Sequence, residues 1–166
     1  MAVTVHNGSG IALRDVPIEI TVRGAHGASL YTNAQPGLAP SLHALGLLPA
    51  HATSEWVDDQ VQASGTPAGV SAEVGEGERD GEPAPDVAIE GAHVSEGKAE
   101  GTVVNHSHAS LHEVVVYAIA RRGAAIVAAG RAVVAQAEPG AAEHFQAFLI
   151  GSPSGAQLEV NVGGAA

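Results

Sequence analysis

The chain says one thing twice. Val5-His6-Asn7-Gly8-Ser9, followed by Leu13, Val16, Ile18, Ile20 and Val22, returns as Val104-Asn105-His106-Ser107, followed by Leu111, Val114, Val116, Ala118 and Ala120. Aligning Asn7 on Asn105 superposes Ser9 on Ser107, Leu13 on Leu111 and Val16 on Val114 without a gap. An internal repeat sets the architecture before any local reading does, and here it predicts two copies of one small β domain.

Length agrees with that division, since 166 residues suit two units of roughly 75 to 80 residues each. Units of this size bury only about 60 to 65% of their unfolded surface, so each core is thin. The aromatic residues are few (Trp56, Tyr31, Tyr117, Phe145, Phe148), and Ala and Val carry the apolar share, which argues against a deep apolar ligand cavity. Cysteine is absent, which excludes disulfides, a thiolate nucleophile, an Fe–S cluster and a Cys-based zinc site. The formal charge of −11 is concentrated between residues 76 and 100, where Glu76, Glu78, Asp80, Glu82, Asp86, Glu90, Glu96 and Glu100 face only Arg79 and Lys98. No basic stripe exists for a phosphate backbone, so nucleic acid and anionic membrane surfaces are poor partners. No apolar run approaches the roughly 18 residues of a spanning helix, and the first residues do not follow the signal-peptide pattern.

In the second copy, Asp86 to Glu90 alternates apolar and polar residues as a half-buried strand does, Ser95 to Lys98 turns, and Ala99 to Val104 leads into the Asn105 corner. Further strands are predicted at Val114 to Ala120, Ile126 to Val134, Phe145 to Ile150 and Leu158 to Val162, with turns at Pro139-Gly140 and Ser152 to Gly155. About seven short strands with regular turns form the pattern of an immunoglobulin-like sandwich. The first copy departs from it twice. Met1 to Val5 matches only Gly101 to Val104, so the equivalent of Asp86 to Val94 is missing. Loss of that strand upstream of Met1 is the expected explanation, because an uncovered edge is an aggregation liability. Second, Leu38, Leu42 and Leu45 fall at helical spacing after Pro36 and Pro40-Ser41, predicting a short helix or helical loop that caps one end of the sandwich. The expected fold is therefore all-β: two tandem immunoglobulin-like sandwiches, residues 1–75 and 86–166, the first with a short helical insertion and a missing first strand. Residues 76–85 are an acidic Pro/Gly linker whose glycines and charges resist packing.

At Val104-Asn105-His106-Ser107, with Leu111, Val114-Val115-Val116, Gly123, Pro139-Gly140 and Phe145, the second copy resembles the FxLYD-type immunoglobulin-like domains of bacterial and archaeal extracytoplasmic proteins. The resemblance covers about residues 86–163, and residues 3–74 more loosely; the letters that name the family are replaced here by Val116-Tyr117-Ala118-Ile119-Ala120. The first copy, with Leu30-Tyr31-Thr32-Asn33 and Trp56 to Gln60, looks like the first half of uncharacterised two-domain proteins of high-GC bacteria. Lys98 as the only lysine among the seven basic residues agrees with such a source. The resemblance implies an extracytoplasmic module, membrane-anchored in the full-length protein, with no catalytic residues to carry over.

Three constellations invite chemistry. His106, His108 and His112 keep one parity along a strand and suit Zn²⁺ or Cu²⁺, but the segment is a corner and a loop, and the first copy has Gly8, Gly10 and Arg14 at those positions. Asp58-Asp59, with Asn33 across the sheet, offers hard oxygens for Ca²⁺, yet neighbours on a strand point to opposite faces. Asn7-Gly8-Ser9 and Asn105-His106-Ser107 match the glycosylation acceptor pattern; their repetition at equivalent positions argues for a structural corner instead. Gly151 to Gly155 has proline where a nucleophile elbow needs serine. The sequence thus points to a non-catalytic interaction or spacer module with an unknown protein or cell-surface ligand and no cofactor. Partner contact is expected around Leu38, Leu42, Trp56, Asp58 and Asp59, and a metal-binding protein using the three histidines is the alternative.

Overall fold

The computed structural model describes residues 1–81 and 83–164; Glu82 of the acidic segment and the last two residues lie outside them. The protein is all-β, with two 3-10 turns, at Ala25–Gly27 and Pro40–Leu42. Its strands are β1 (Ala2–His6), β2 (Leu13–Arg23), β3 (Ser29–Thr32), β4 (Ala44–Leu48), β5 (Thr53–Val57), β6 (Gly69–Val74) and β7 (Glu78–Arg79), then β8 (Val87–Ser95), β9 (Lys98–Asn105), β10 (Leu111–Arg122), β11 (Ala125–Ala137), β12 (Ala142–Phe148), β13 (Ile150–Gly151) and β14 (Gln157–Gly164). In the second half a sheet of order β13-β11-β10-β14 faces one of order β12-β9-β8. In the first half β2 pairs with β3, β4, β6 and β7, while β1 and β5 form a separate antiparallel pair. Packing face to face, such sheets are consistent with a β-sandwich.

The two asparagine corners share one hydrogen-bond pattern. The Asn105 amide donates to the carbonyls of Ala109 (2.9 Å) and Ala137 (2.8 Å) and accepts from the Ser107 N–H (2.9 Å) and hydroxyl (2.5 Å). Asn7 donates to Ile11 (2.8 Å) and Leu48 (3.2 Å) and accepts from the Ser9 N–H (2.9 Å) and hydroxyl (2.7 Å). Both side chains are buried, so the corner is a place where one amide satisfies backbone groups that the turning chain takes away from water. A second shared mark lies eight residues on, where Asp15 (φ 46°) and Glu113 (φ 48°) both take a left-handed backbone uncommon for residues with a Cβ. On either side of them the ladders resume in register, Arg14 with Leu47 and Val16 with Leu45, His112 with Gln136 and Val114 with Val134.

Inside the second half, Val103, Leu111, Val114, Val116, Val134 and Phe145 form one core and Ala99, Ala118 and Ala147 a smaller one. In the first half, Val16, Ile18, Ile20, Leu45, Leu48 and Trp56 are almost wholly buried, each aliphatic among them worth about 1.5 to 3 kcal/mol on burial. Trp56 pairs with Val3 as Phe145 pairs with Gly101, so these two core aromatics occupy matching sites.

Three segments differ from the expectation. Phe145 to Ile150 is not one strand: β12 ends at Phe148 on one sheet and β13 begins at Ile150 on the other. Gly130 and Gly151 permit that crossing, because a Cβ on Gly130 would lie 2.2 Å from the Phe148 carbonyl at the end of β12 and one on Gly151 2.2 Å from the Val127 carbonyl of β11. Between Leu38 and Leu45 there is one 3-10 turn, Pro40–Leu42, and Leu45 itself belongs to β4, paired with Val16. The leucine spacing is the coincidence of a buried turn followed by a buried strand. The start of the acidic segment packs against β2: Gly75 donates to Pro17 (2.9 Å), Arg79 pairs with Leu13, Asp80 N–H donates to Ala12 (2.9 Å), and Arg14 contacts the Asp80 carboxylate at 2.6 Å. A Cβ on Gly77 would meet Val16 at 2.7 Å and the Arg14 carbonyl at 2.8 Å, so glycine here serves close approach instead of flexibility.

Replacing Asn105 by Ala strands the buried Ala137 carbonyl and also removes the partner of the Ala109 carbonyl and the Ser107 N–H, and should cost about 2 to 4 kcal/mol, measured by urea unfolding. Asn105→Asp should not rescue it, since a carboxylate oxygen would then face both carbonyls. The matching Asn7 variants should behave alike.

Candidate functional site

The insertion within the first half turns out to join that half to the second in space. Where the second half runs one long strand, β11, beside β10, the first half has β3 and β4 on the same side of β2 with residues 33–43 looped out between them. Asn33 closes the gap. Its Oδ1 accepts from the Ile20 N–H (2.8 Å), and its Nδ2 donates to the carbonyls of Ile18 (2.8 Å) and Leu42 (2.6 Å). The amide thus takes the place of the peptide group that an uninterrupted strand would present to β2.

Past that splice, Ser41 becomes the meeting point of both halves. Its carbonyl accepts from the Trp56 indole N–H (2.9 Å) and from the Tyr117 hydroxyl (3.4 Å), and its hydroxyl accepts from Arg131 Nη1 (2.5 Å). Arg131 Nε also reaches Asp59 at 3.3 Å. Farther along the seam Arg121 bonds Glu55 and, at 2.9 Å, Glu159; Glu55 accepts from Thr4 Oγ1 at 2.9 Å; and the amide of Asn161 and the hydroxyl of Ser54 are 2.9 Å apart. The apolar part of the seam is continuous with the first core, in which Val5, Trp56 and Val57 cluster with Val115, Tyr117, Ile119 and Ala129 of β10 and β11. Close backbone approach completes it: a Cβ on Gly163 would stand 2.0 Å from the Tyr117 ring, and one on Gly164 would stand 2.8 Å from Gly46 Cα.

Of the residues expected to contact a partner, Leu42, Trp56 and Asp58 are wholly buried, and Leu38 is half-buried. Asp58 and Asp59 do not face one another's task. Asp58 accepts from the Tyr31 hydroxyl at 2.6 Å and from the Gln60 N–H at 2.8 Å, while Asp59 holds Arg131. Asn33 is committed to β2. His106 and His108 are exposed in the loop before β10 and His112 is exposed on it; among the described residues no group of three His, Asp or Glu side chains is placed to hold an ion. Sequence reasoning missed Ser41, Tyr117, Arg121, Arg131 and Gly163. The signal was present in Val114 to Ala120, which is apolar on both alternating faces and so reads as a strand covered on both sides.

Burial also tunes the ionisable groups at the seam. Desolvation raises the Tyr31 pKa well above its ordinary value, assisted by the hydrogen bond and charge of Asp58. Desolvation raises that of Tyr117 likewise, against the opposing influence of the Arg131 guanidinium. At Met1 burial depresses the amino group although Asp58 and Asp59 pull the other way. Three clefts of about 320, 500 and 450 Å³ open on the surface, the first between the halves beside Ser41 and Tyr117. No protein-family model, curated protein or solved structure matches the chain.

Both tyrosines bind their protons more tightly folded than unfolded, so their contribution to stability is fully present below the ordinary pKa of about 10 and is lost as pH climbs above it. An absorbance titration should therefore show no tyrosinate band near pH 10, followed by a cooperative rise coincident with loss of the β-sheet circular dichroism signal. A smooth two-tyrosine titration of the folded protein centred on pH 10 would contradict the buried seam.

Proposed function

We propose that the chain is a tandem pair of immunoglobulin-like sandwiches, the first lacking the opening strand of the second, that works outside the cytoplasm as a non-catalytic interaction or spacer module of a larger anchored protein. The location and the absence of catalytic residues follow the FxLYD-type resemblance of residues 86–163. The observation that carries the reading is the shared core: Trp56 and Val57 of one copy lie in the same cluster as Tyr117 and Ile119 of the other. A flexible tether would leave two small domains free to reorient; a common core with a polar network of Arg121, Arg131, Ser41 and Asn161 holds them at one angle. That is a property useful for presenting a surface at a fixed distance and direction, and it spends the largest side chains of the chain on orientation. Of the side chains first expected to meet a partner, Trp56 and Asp59 act in the seam while Leu42 and Asp58 are buried in the first copy, so the recognising surface is sought elsewhere on it.

Nitrogen-15 relaxation should give both copies one rotational correlation time. Two independent values would sink the rigid-module reading. Gly163→Ala, whose new Cβ drives into the Tyr117 ring, should cost about 3 kcal/mol and separate the two correlation times.

A further inference from the structure

The first copy leaves open the place that β8 fills in the second. β8 pairs antiparallel with β9, Ile89 opposite Val103 and Val87 opposite Asn105, and the Asp86 carbonyl receives the N–H of His106 at 2.8 Å. Val87 and Ile89 then pack with Val160 and Val162 of β14 over the core. The counterparts in the first copy are β1 for β9 and β6 for β14, since Val74 stands opposite Ile18 as Val162 stands opposite Val116. Among the described residues β1 pairs with β5 alone. Between β1 and β6 lies the cleft of about 500 Å³, lined by Val5, Ile11, Leu13, Val16, Leu48 and Val74. Five of these match Val103, Leu111, Val114, Ala137 and Val162, the floor on which β8 rests. Without a cover, every residue of β6 is exposed, with Val74 at 47% and Val70 at 56%, and Ile11 at the cleft mouth is 39% exposed.

We infer that this cleft is a strand-acceptor site: it binds an extended segment of another polypeptide, antiparallel to β1, carrying β-branched or aliphatic side chains at two alternate positions. The inference rests on reading the two halves as copies of one domain. The occupant's chemistry is set by the sister strand Asp86-Val87-Ala88-Ile89-Glu90, whose two apolar side chains enter the core while its main chain completes the ladder. Thr4, His6 and Gly8 supply the outward N–H groups, as Thr102, Val104 and His106 do toward β8. Main-chain pairing gives such a site its affinity, and the two pockets give it selectivity.

A synthetic peptide of residues 86–95, offered in trans to the full chain, tests this. Saturable binding is expected, with slowed hydrogen exchange at Thr4, His6 and Gly8. Placing Asp at both Val87 and Ile89 of the peptide, or making Val74→Glu in the chain at an already exposed position, should weaken binding at least tenfold. Absence of saturable binding, or equal binding of the two peptides, overturns the site. A chain that sediments as a dimer with those three amides already slow overturns the assignment of the occupant to a polypeptide of different sequence, because a second copy then fills the cleft. Neither result depends on the common correlation time of the two copies, so the rigid-module reading stands or falls separately.

Discussion

The carbonyl oxygen of Ser41 sits where two aromatic side chains with polar tips must both be buried. An indole N–H and a phenol hydroxyl can leave water only if each finds a partner, and a single backbone oxygen serves Trp56 and Tyr117 together. Those aromatics come from different halves of the chain and lie in one cluster, so their shared acceptor ties β10 of the second half to the core of the first. Around it the remaining polar groups of the seam fall into place, Arg131 on the Ser41 hydroxyl and Asp59, Arg121 between Glu55 and Glu159. Each such pair alone contributes little at a partly exposed site, and their worth lies in fixing direction while the apolar cluster supplies the stabilisation.

Much of the fold was legible because its instructions are local. The Asn7 and Asn105 corners, the alternating strands of the second copy and the Pro139-Gly140 turn each act through neighbours in sequence, and period-two patterning reports one buried face. What escaped was non-local. The strand Val114 to Ala120 carries apolar residues on both faces, and its inward set alone was credited, so the outer set of Val115, Tyr117 and Ile119 was left without a partner to bury it. The leucines at 38, 42 and 45 matched a helical period, although Leu45 is a strand residue held by Val16; three residues are too few to separate the periods. In the acidic segment, Gly75 and Gly77 looked like breakers, whereas they let the chain lie against Pro17 and Val16.

The candidate residues were chosen for chemical capacity, and the structure employs that capacity internally. Trp56 fills the position of Phe145, Asp58 holds Tyr31, and Asp59 neutralises Arg131. An acid beside a tryptophan reads the same in sequence whether it faces solvent or a partner strand, and only the register of β5 against β1 and its burial on both faces decides.

The amide of Asn33 has a consequence for how this scaffold tolerates change. By standing in for a peptide group between β3 and β4, it lets a strand be cut and a loop spliced in without opening the ladder to water. Provided that Asn33 is kept at one end and Ser41 and Leu42 at the other, the stretch from Ala34 to Ala39, exposed apart from the half-buried Leu38, is released from any demand of the sheet on its length. It is a graft point already written into the fold, where foreign loops of varied sequence can be displayed beside the polar contacts of Ser41.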